Sequence, residues 1–355
     1  MSRSDSPRLR LAILGAGGIS GAHARAMLAL PDRIECTLLC DVSKENLHRR
    51  AEQLGGTPVH CTDWKQMLSK HGDQFDAVVI ALPHHLHAAA ILDCLAAGKH
   101  VLCEKPLCTS LIEADAIVSA VQAAGVTFMP GHNALFHPFV GRVKEMVGAG
   151  TIGPVLHMRS QDCFVLGADF SDTWRGRFGE QGGGELIDTG YHAAYTLMHF
   201  AGAPVVEVRG TFARFRQRIE GEDTASVQLL FGDGAIGEIF TSWAMPRPHG
   251  THALHLMGEK GQLFGTGNSL YLLPEGFSEP ARIELPASDS FEAQMACFHD
   301  CVRGRRRPPH SVQESREVLR LILEATASAV GWERHAFLKT ETRRKAEQRS
   351  PALPG

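Results

Sequence analysis

The sequence predicts an α/β chain in two parts: a doubly wound parallel sheet over residues 1–130, then an α+β domain over 131–338 with a large, mostly antiparallel open sheet. Three observations carry this. An apolar run from Leu9 breaks into Gly15-Ala16-Gly17-Gly18-Ile19-Ser20 and resumes at helical spacing, which reads as strand, tight turn and helix. Short apolar runs then alternate with helical patterns up to about residue 130, the rhythm of parallel strands joined by crossover helices. After Pro154 strand-like runs follow one another, separated by turns such as Phe231-Gly232-Asp233-Gly234, which is the rhythm of an antiparallel sheet.

In order, the first part is expected to have strands at 9–14, 34–40, 77–82, 100–104 and 126–129, with helices at 19–30, 44–54, 86–97 and 110–124. The second has strands at 155–165, 205–215, 225–231, 235–242, 252–257 and 270–273, interrupted by a helix at 189–200. Helices at 291–302 and 312–330 close the fold, the last packing back on the first domain. The stretch 339–355 is charged and proline-flanked and is expected to be a disordered tail.

The glycine turn carries chemistry. Gly15 can take the positive φ the turn needs, Gly17 lets a pyrophosphate approach the backbone, and a helix starting near Gly18 and Ile19 points unpaired N–H groups at phosphates. Such a turn alone is weak. The run 34–40, however, delivers Asp41 about 20 residues further on, where a carboxylate accepts hydrogen bonds from an adenosine ribose. Its charge favours NAD over NADP by repelling a ribose 2′-phosphate, although Ser43 and Lys44 leave some room for NADP.

Composition excludes other classes. A formal net charge of −3 gives no field for holding a polyanion, so nucleic acid is not expected as a partner. The segment before the first strand, MSRSDSPRLR, has no apolar core of the secretory kind, and no uncharged run is long enough to cross a bilayer. Nine cysteines, without a C-x-x-C pair, read as reduced, buried thiols of a cytoplasmic protein.

Two segments stand at expected strand ends or helix starts. Glu104-Lys105-Pro106 follows the strand HVLC, so Lys105 emerges at a strand's C-terminal end, where open α/β sheets bind ligands. There it either orients a substrate hydroxyl or forms a surface pair with Glu104. In Gly182-Gly183-Gly184-Glu185-Leu186-Ile187-Asp188-Thr189-Gly190-Tyr191-His192 the glycines allow backbone to pass close to a ligand, and Asp188 and His192 stand one helical turn apart. A carboxylate holding an imidazole is an acid/base device, and the same spacing also fits an ordinary helix N-terminus.

Taken together these segments resemble the Gfo/Idh/MocA oxidoreductases, the relatives of glucose–fructose oxidoreductase and inositol 2-dehydrogenase. The resemblance spans about residues 8–330 and rests on GAGGIS with Asp41, AVVIALPHHLHAAAILDCLAAGKHVLCEKPL, GGGELIDTGYH and RGRRRPPHSVQESREVLRLILEATASA. It implies a Rossmann domain, a second domain whose open sheet joins copies as a homodimer or homotetramer, and nicotinamide-linked alcohol/ketone chemistry on a sugar, cyclitol or similar polyol. By motif position it implies Lys105 as the catalytic lysine, Asp188 as the acidic partner and His192 as the acid/base histidine. Leu82, Pro83, His87, Glu104 and Lys105 are expected to join the cofactor site, with His87 lining the nicotinamide pocket or packing locally.

The chain departs from the family pattern where Tyr195 replaces an acid three residues after His192, and where Asn133 to Pro138 lack an arginine. Substrate contacts are expected from Lys105, His132, Trp174, Arg175, Asp188 and His192; Arg175 and Arg177 equally suit an exposed loop. His84, His85 and His87 cluster, and His132 and His192 are placed to converge, but no compact ligand set appears and no metal is expected. Two other classes stay open: a redox-neutral enzyme that recycles bound NAD in elimination, epimerisation or glycoside cleavage, and a non-catalytic NAD-binding sensor.

Overall fold

A computed structural model describes residues 7–167 and 170–329, and the expected tail 339–355 lies outside the described residues. The first sheet is wholly parallel. It contains β1 (Leu9–Leu14), β2 (Ile34–Cys40), β3 (Val59–Cys61), β4 (Ala77–Ile80), β5 (His100–Glu104) and β6 (Phe128–Gly131), in the spatial order β3-β2-β1-β4-β5-β6. The helices between them are α1 (Ser20–Leu28), α2 (Lys44–Leu54), α3 (Trp64–His71), α4 (His87–Ala96) and α5 (Leu111–Ala124). With helices over both faces, the central strands read as apolar runs, LRLAIL interrupted only by Arg10 and AVVI unbroken, and are buried almost end to end. The strand order reverses between β1 and β4, which opens a crevice at their carboxyl ends.

The second sheet follows α6 (Pro138–Gly148). β7 (Val155–Cys163) leads through α7 (Phe178–Gln181) and α8 (Gly190–Phe200) to β8 (Val205–Ala213), β9 (Thr224–Phe231), β10 (Ile236–Ser242), β11 (Leu254–Gly258), β12 (Gly261–Thr266), β13 (Ser269–Pro274) and β14 (Ala281–Ile283). Their order is β14-β13-β12-β11-β7-β10-β9-β8, antiparallel except that β7 and β10 run parallel. A parallel pair needs a long crossover, and α8 lies within the one that separates these two strands. β9 alternates buried and exposed residues, so one face of this sheet is covered and the other open. Leu230 and Ile236 stand opposite each other, exposed, on the open face.

The last two helices complete the first layer. α9 (Ser290–Val302) contributes Met295, Phe298 and Cys301 to the same core cluster as Leu9, Leu11 and Ile13 of β1. This return to the first sheet is not apparent in the sequence. α10 (Val312–Ser328) touches both layers: Arg316 pairs with Asp115 of α5 at 2.6 Å, while Ser328 Oγ accepts the Gly210 N–H of β8 at 3.0 Å. Its start is fixed by a capping box between Ser311 and Glu314.

Four unforeseen short elements have local reasons. β3 has three residues and α3 eight, held by Asp63, whose carboxylate accepts the Lys65 N–H at 2.7 Å. β12 begins with Gly261, and α6 begins with Pro138, residues that read from sequence as breakers. All nine cysteines are free. Among the described residues no helix is long and apolar enough to cross a membrane.

Because α10 touches both sheets, truncation of the fully buried Leu321 to alanine is expected to cost about 2–5 kcal/mol. Urea melts should show a lower midpoint with an unchanged slope and one transition; two separated transitions would contradict a shared α10.

Candidate active site

The crevice is a cleft of about 710 Å³ lined on one side by Gly15, Gly17, Gly18, Ile19 and Asp41, and on the other by Trp174, Arg175, Asp188 and His192. Gly15 has φ 95°, and a Cβ there would lie 2.3 Å from the Ala81 carbonyl oxygen, so the turn closes against β4 only with glycine. A Cβ on Gly17 or Gly18 would meet nothing within 4 Å, which leaves their backbone open to a ligand. Asp41 accepts the Ala16 N–H at 2.7 Å and the Ser43 N–H at 2.8 Å, tying the turn to the end of β2.

A buried arginine that sequence reasoning passed over holds this turn. Arg50 donates to the Gly17 carbonyl at 2.7 Å and to Ser20 Oγ at 2.9 Å. Its signal was available: Leu47, Arg50, Ala51 and Leu54 form an apolar stripe at helical spacing, with one cation in it.

Lys105 reaches from the end of β5 to Asp188, with Nζ 2.7 Å from Oδ1 and 2.8 Å from the Asp188 carbonyl oxygen. The other carboxylate oxygen accepts Arg175 Nε at 2.8 Å and Gln181 Nε2 at 3.4 Å. Burial raises the Asp188 pKa, but the charges of Lys105 and Arg175, with the Lys105 hydrogen bond, outweigh it and hold the carboxyl well below the usual range. Arg175 lies over the Trp174 ring at 4.3 Å, and Trp174 meets the His84 ring edge-on at 4.7 Å. Both therefore belong to the cleft wall; Arg177 instead pairs with Glu180 at 2.6 Å.

Several expectations are corrected. Asp188 does not hold His192: α8 begins at Gly190, so helical spacing does not extend back to Asp188, whose hydrogen bonds go to Lys105, Arg175 and Gln181. The His192 Nδ1 faces the Tyr195 hydroxyl at 2.7 Å. Of the three glycines, Gly184 admits protein rather than ligand, since a Cβ would lie 2.1 Å from the Glu222 carbonyl oxygen. His132 is buried behind the cleft, stacked on Tyr195 at 4.3 Å and 2.7 Å from His310, because β6 carries it under α8. His87 is fully buried, with its ring nitrogens 2.7 Å and 2.9 Å from the Pro106 and Leu82 carbonyl oxygens. It braces the loop whose Leu82 and Pro83 do line the cleft. Glu104 borders the cleft, but its carboxylate is engaged by His23 Nε2 at 2.8 Å.

The histidine cluster is a brace as well. His84 Nδ1 lies 2.8 Å from the Gln181 carbonyl oxygen and His85 Nδ1 lies 3.1 Å from that of Glu180, so both rings grip α7 across the cleft. Burial pushes the His84 pKa down to about 3 and that of His192, with help from Lys105, to about 4. Among the described residues no group of three or more His, Cys, Asp or Glu side chains is arranged to hold a metal ion. Beyond His192 a smaller hollow of about 290 Å³ adjoins, lined by Gln161, Asp162 and Arg247 among others.

An open glycine turn, a carboxylate at the end of the next strand and a deep cleft fit a dinucleotide. Residues 9–132 match the model of an oxidoreductase family with an NAD-binding Rossmann fold, and residues 140–264 match the GFO/IDH/MocA C-terminal domain. The chain belongs to the Gfo/Idh/MocA oxidoreductase family. This Gfo/Idh/MocA protein is 28% identical to myo-inositol 2-dehydrogenase of Thermotoga maritima, over 72% of its own length and 75% of that enzyme. It is also 28% identical to trans-1,2-dihydrobenzene-1,2-diol dehydrogenase of Mus musculus, covering 91% and 97% of the two chains. The WlbA dehydrogenase of Bordetella pertussis, solved in complex with NADH and UDP-GlcNAcA, superposes with a TM-score of 0.78 at 25% identity, over 91% and 97%.

Asp188→Asn keeps the shape but leaves Lys105 and Arg175 without their anion. The expected loss is at least about 2 kcal/mol, below the ~3–5 of a fully buried pair because Arg175 is partly solvated. Denaturant melts check this, and an unchanged midpoint would contradict the pairing.

Proposed function

We propose that this oxidoreductase transfers a hydride between NAD and the carbinol or ketone carbon of a sugar, cyclitol or related polyol. One observation carries the reading: Lys105 from the first sheet and His192 from α8 border the same cleft as the glycine turn and Asp41. The relatives' names, an inositol dehydrogenase and a diol dehydrogenase, support the substrate class. Bound NAD supplies the hydride acceptor. The chain's own residues hold the reacting oxygen between Lys105 and His192 and handle its proton, while Asp188 anchors the lysine and the adjoining hollow receives the rest of the polyol.

In this reading residues 1–130 bind the cofactor and 131–338 bind the substrate, and copies associate as a homodimer or homotetramer through the open face bearing Leu230 and Ile236. Nine unpaired thiols suit a reducing cytoplasm.

The test is absorbance of reduced nicotinamide across a panel of polyols, sugar acids and their keto forms. Lys105→Ala and His192→Ala are each expected to lower kcat by about 10²–10⁴-fold, with NADH binding retained, read as quenching of tryptophan emission from the cleft wall. Near-normal turnover in both variants removes the mechanism. Asp41→Ser is expected to weaken NAD by about 10–100-fold and narrow its advantage over NADP, as befits a hydrogen bond to a charged group. Tight NADP binding by the unmodified protein would contradict the cofactor assignment.

A further inference from the structure

We propose that Tyr195 fixes the hydrogen of His192 on Nε2, so that this histidine meets the substrate oxygen as a hydrogen-bond donor and Lys105 is the group that exchanges the proton. This rests on the hydride-transfer reading above and assigns the proton within it.

The argument is one of hydrogen-bond supply. Tyr195 is fully buried on α8, three residues after His192, where water does not reach its hydroxyl. Its oxygen accepts the Ala134 N–H at 3.1 Å and lies 2.7 Å from His192 Nδ1. Among the described residues no other partner of this hydroxyl is found. A phenol has one hydrogen to give and two lone pairs to fill. If Nδ1 carried a hydrogen, both neighbours would be donors and the phenol's own hydrogen would be buried without an acceptor, a costly arrangement. With Nδ1 bare, Ala134 donates to the oxygen, the hydroxyl donates to Nδ1, and nothing is left unmet.

The remaining hydrogen of the neutral imidazole then sits on Nε2. His192 borders both the main cleft and the adjoining hollow. Tyr195 is held in place by the His132 ring, stacked at 4.3 Å and 6°. Burial pushes the Tyr195 pKa well up, so the phenol keeps its proton, and Glu104, Asp162 and Tyr191 act in the same direction. The charged groups facing His192 are Lys105, which lowers its pKa, and Glu104 and Asp188, which raise it; burial dominates and the ring stays neutral near pH 7.

An imidazole whose Nε2 already carries its hydrogen has no lone pair there to accept another, and its Nδ1 is occupied by the Tyr195 hydroxyl. In the oxidation direction Lys105, held as an ammonium beside Asp188, would first give a proton to solvent; the substrate O–H bond would then break toward the resulting amine, an N–H bond would form there, and the oxygen's electron pair would enter the C=O bond as the hydride passed to a bound nicotinamide. In reduction the ammonium returns that proton to oxygen, while Nε2–H of His192 donates to the same oxygen throughout. A carboxylate at position 195, which only accepts, would hold the hydrogen on Nδ1 and make Nε2 a base.

The test is ¹⁵N NMR of histidine-labelled protein with NADH bound at pH 7, with His192 assigned by its absence in His192→Gln. The expected spectrum has Nδ1 bare and Nε2 protonated; the reverse overturns the proposal. Tyr195→Phe should mix the two tautomers and lower kcat for an oxidised polyol about three- to tenfold, the worth of one neutral hydrogen bond, with NADH affinity unchanged. Tyr195→Glu should move the hydrogen to Nδ1; a tautomer indifferent to both substitutions counts against Tyr195. If no polyol is oxidised, the hydride-transfer reading fails while the spectra still decide the tautomer.

Discussion

The ion pair between Lys105 and Asp188 is the constraint on which the rest of the site depends. A carboxylate as deeply buried as Asp188 would cost several kcal/mol if it stood alone, so its position is tolerable only where cations converge on it. One comes from the end of β5 and the other from the turn ahead of α7, and neither reaches it unless both sheets stand in the right relation. Gly184 sets the distance from the other side by letting the Glu222 backbone press close. The substrate side of the cleft is in this way measured from the cofactor side through a single charged contact.

The first sheet was legible because its central strands are buried on both faces and appear as largely apolar runs between helical patterns. β1, β2 and β5 start and stop where the apolar runs do, and Ser110 is an N-cap as its type and place indicate. The strand expected over 77–82 ends at Ile80, since the chain must leave the ladder before Pro83, which has no N–H to offer. What short-range pattern does not encode is partnership across many residues. Lys105 and Asp188 are 83 positions apart, and the sequence pointed Asp188 to its neighbour His192 instead. The parallel pairing of β7 with β10, and the return of α9 to the first sheet, escaped for the same reason.

The nineteen histidines look from sequence like a store of metal ligands or bases. Around the cleft they behave mainly as compact polar struts. His84 and His85 join the loop after β4 to α7, and His87 joins two loops of the first sheet. Burial keeps His84 and His132 uncharged, which suits them to bond a carbonyl oxygen or stack without adding charge beside Lys105 and Arg175, whereas His87 faces two carbonyl oxygens and, when neutral, donates to only one of them. The cationic character of the cleft therefore rests with groups that Asp188 can hold.

The core shared by β1 and α9 has a consequence for biosynthesis. Leu9, Leu11 and Ile13 leave the ribosome long before the side chains of Met295 and Phe298 that cover them. Until then the nascent polypeptide carries an uncovered greasy layer of the kind that chaperones bind. The first sheet is thus begun before the second and finished after it.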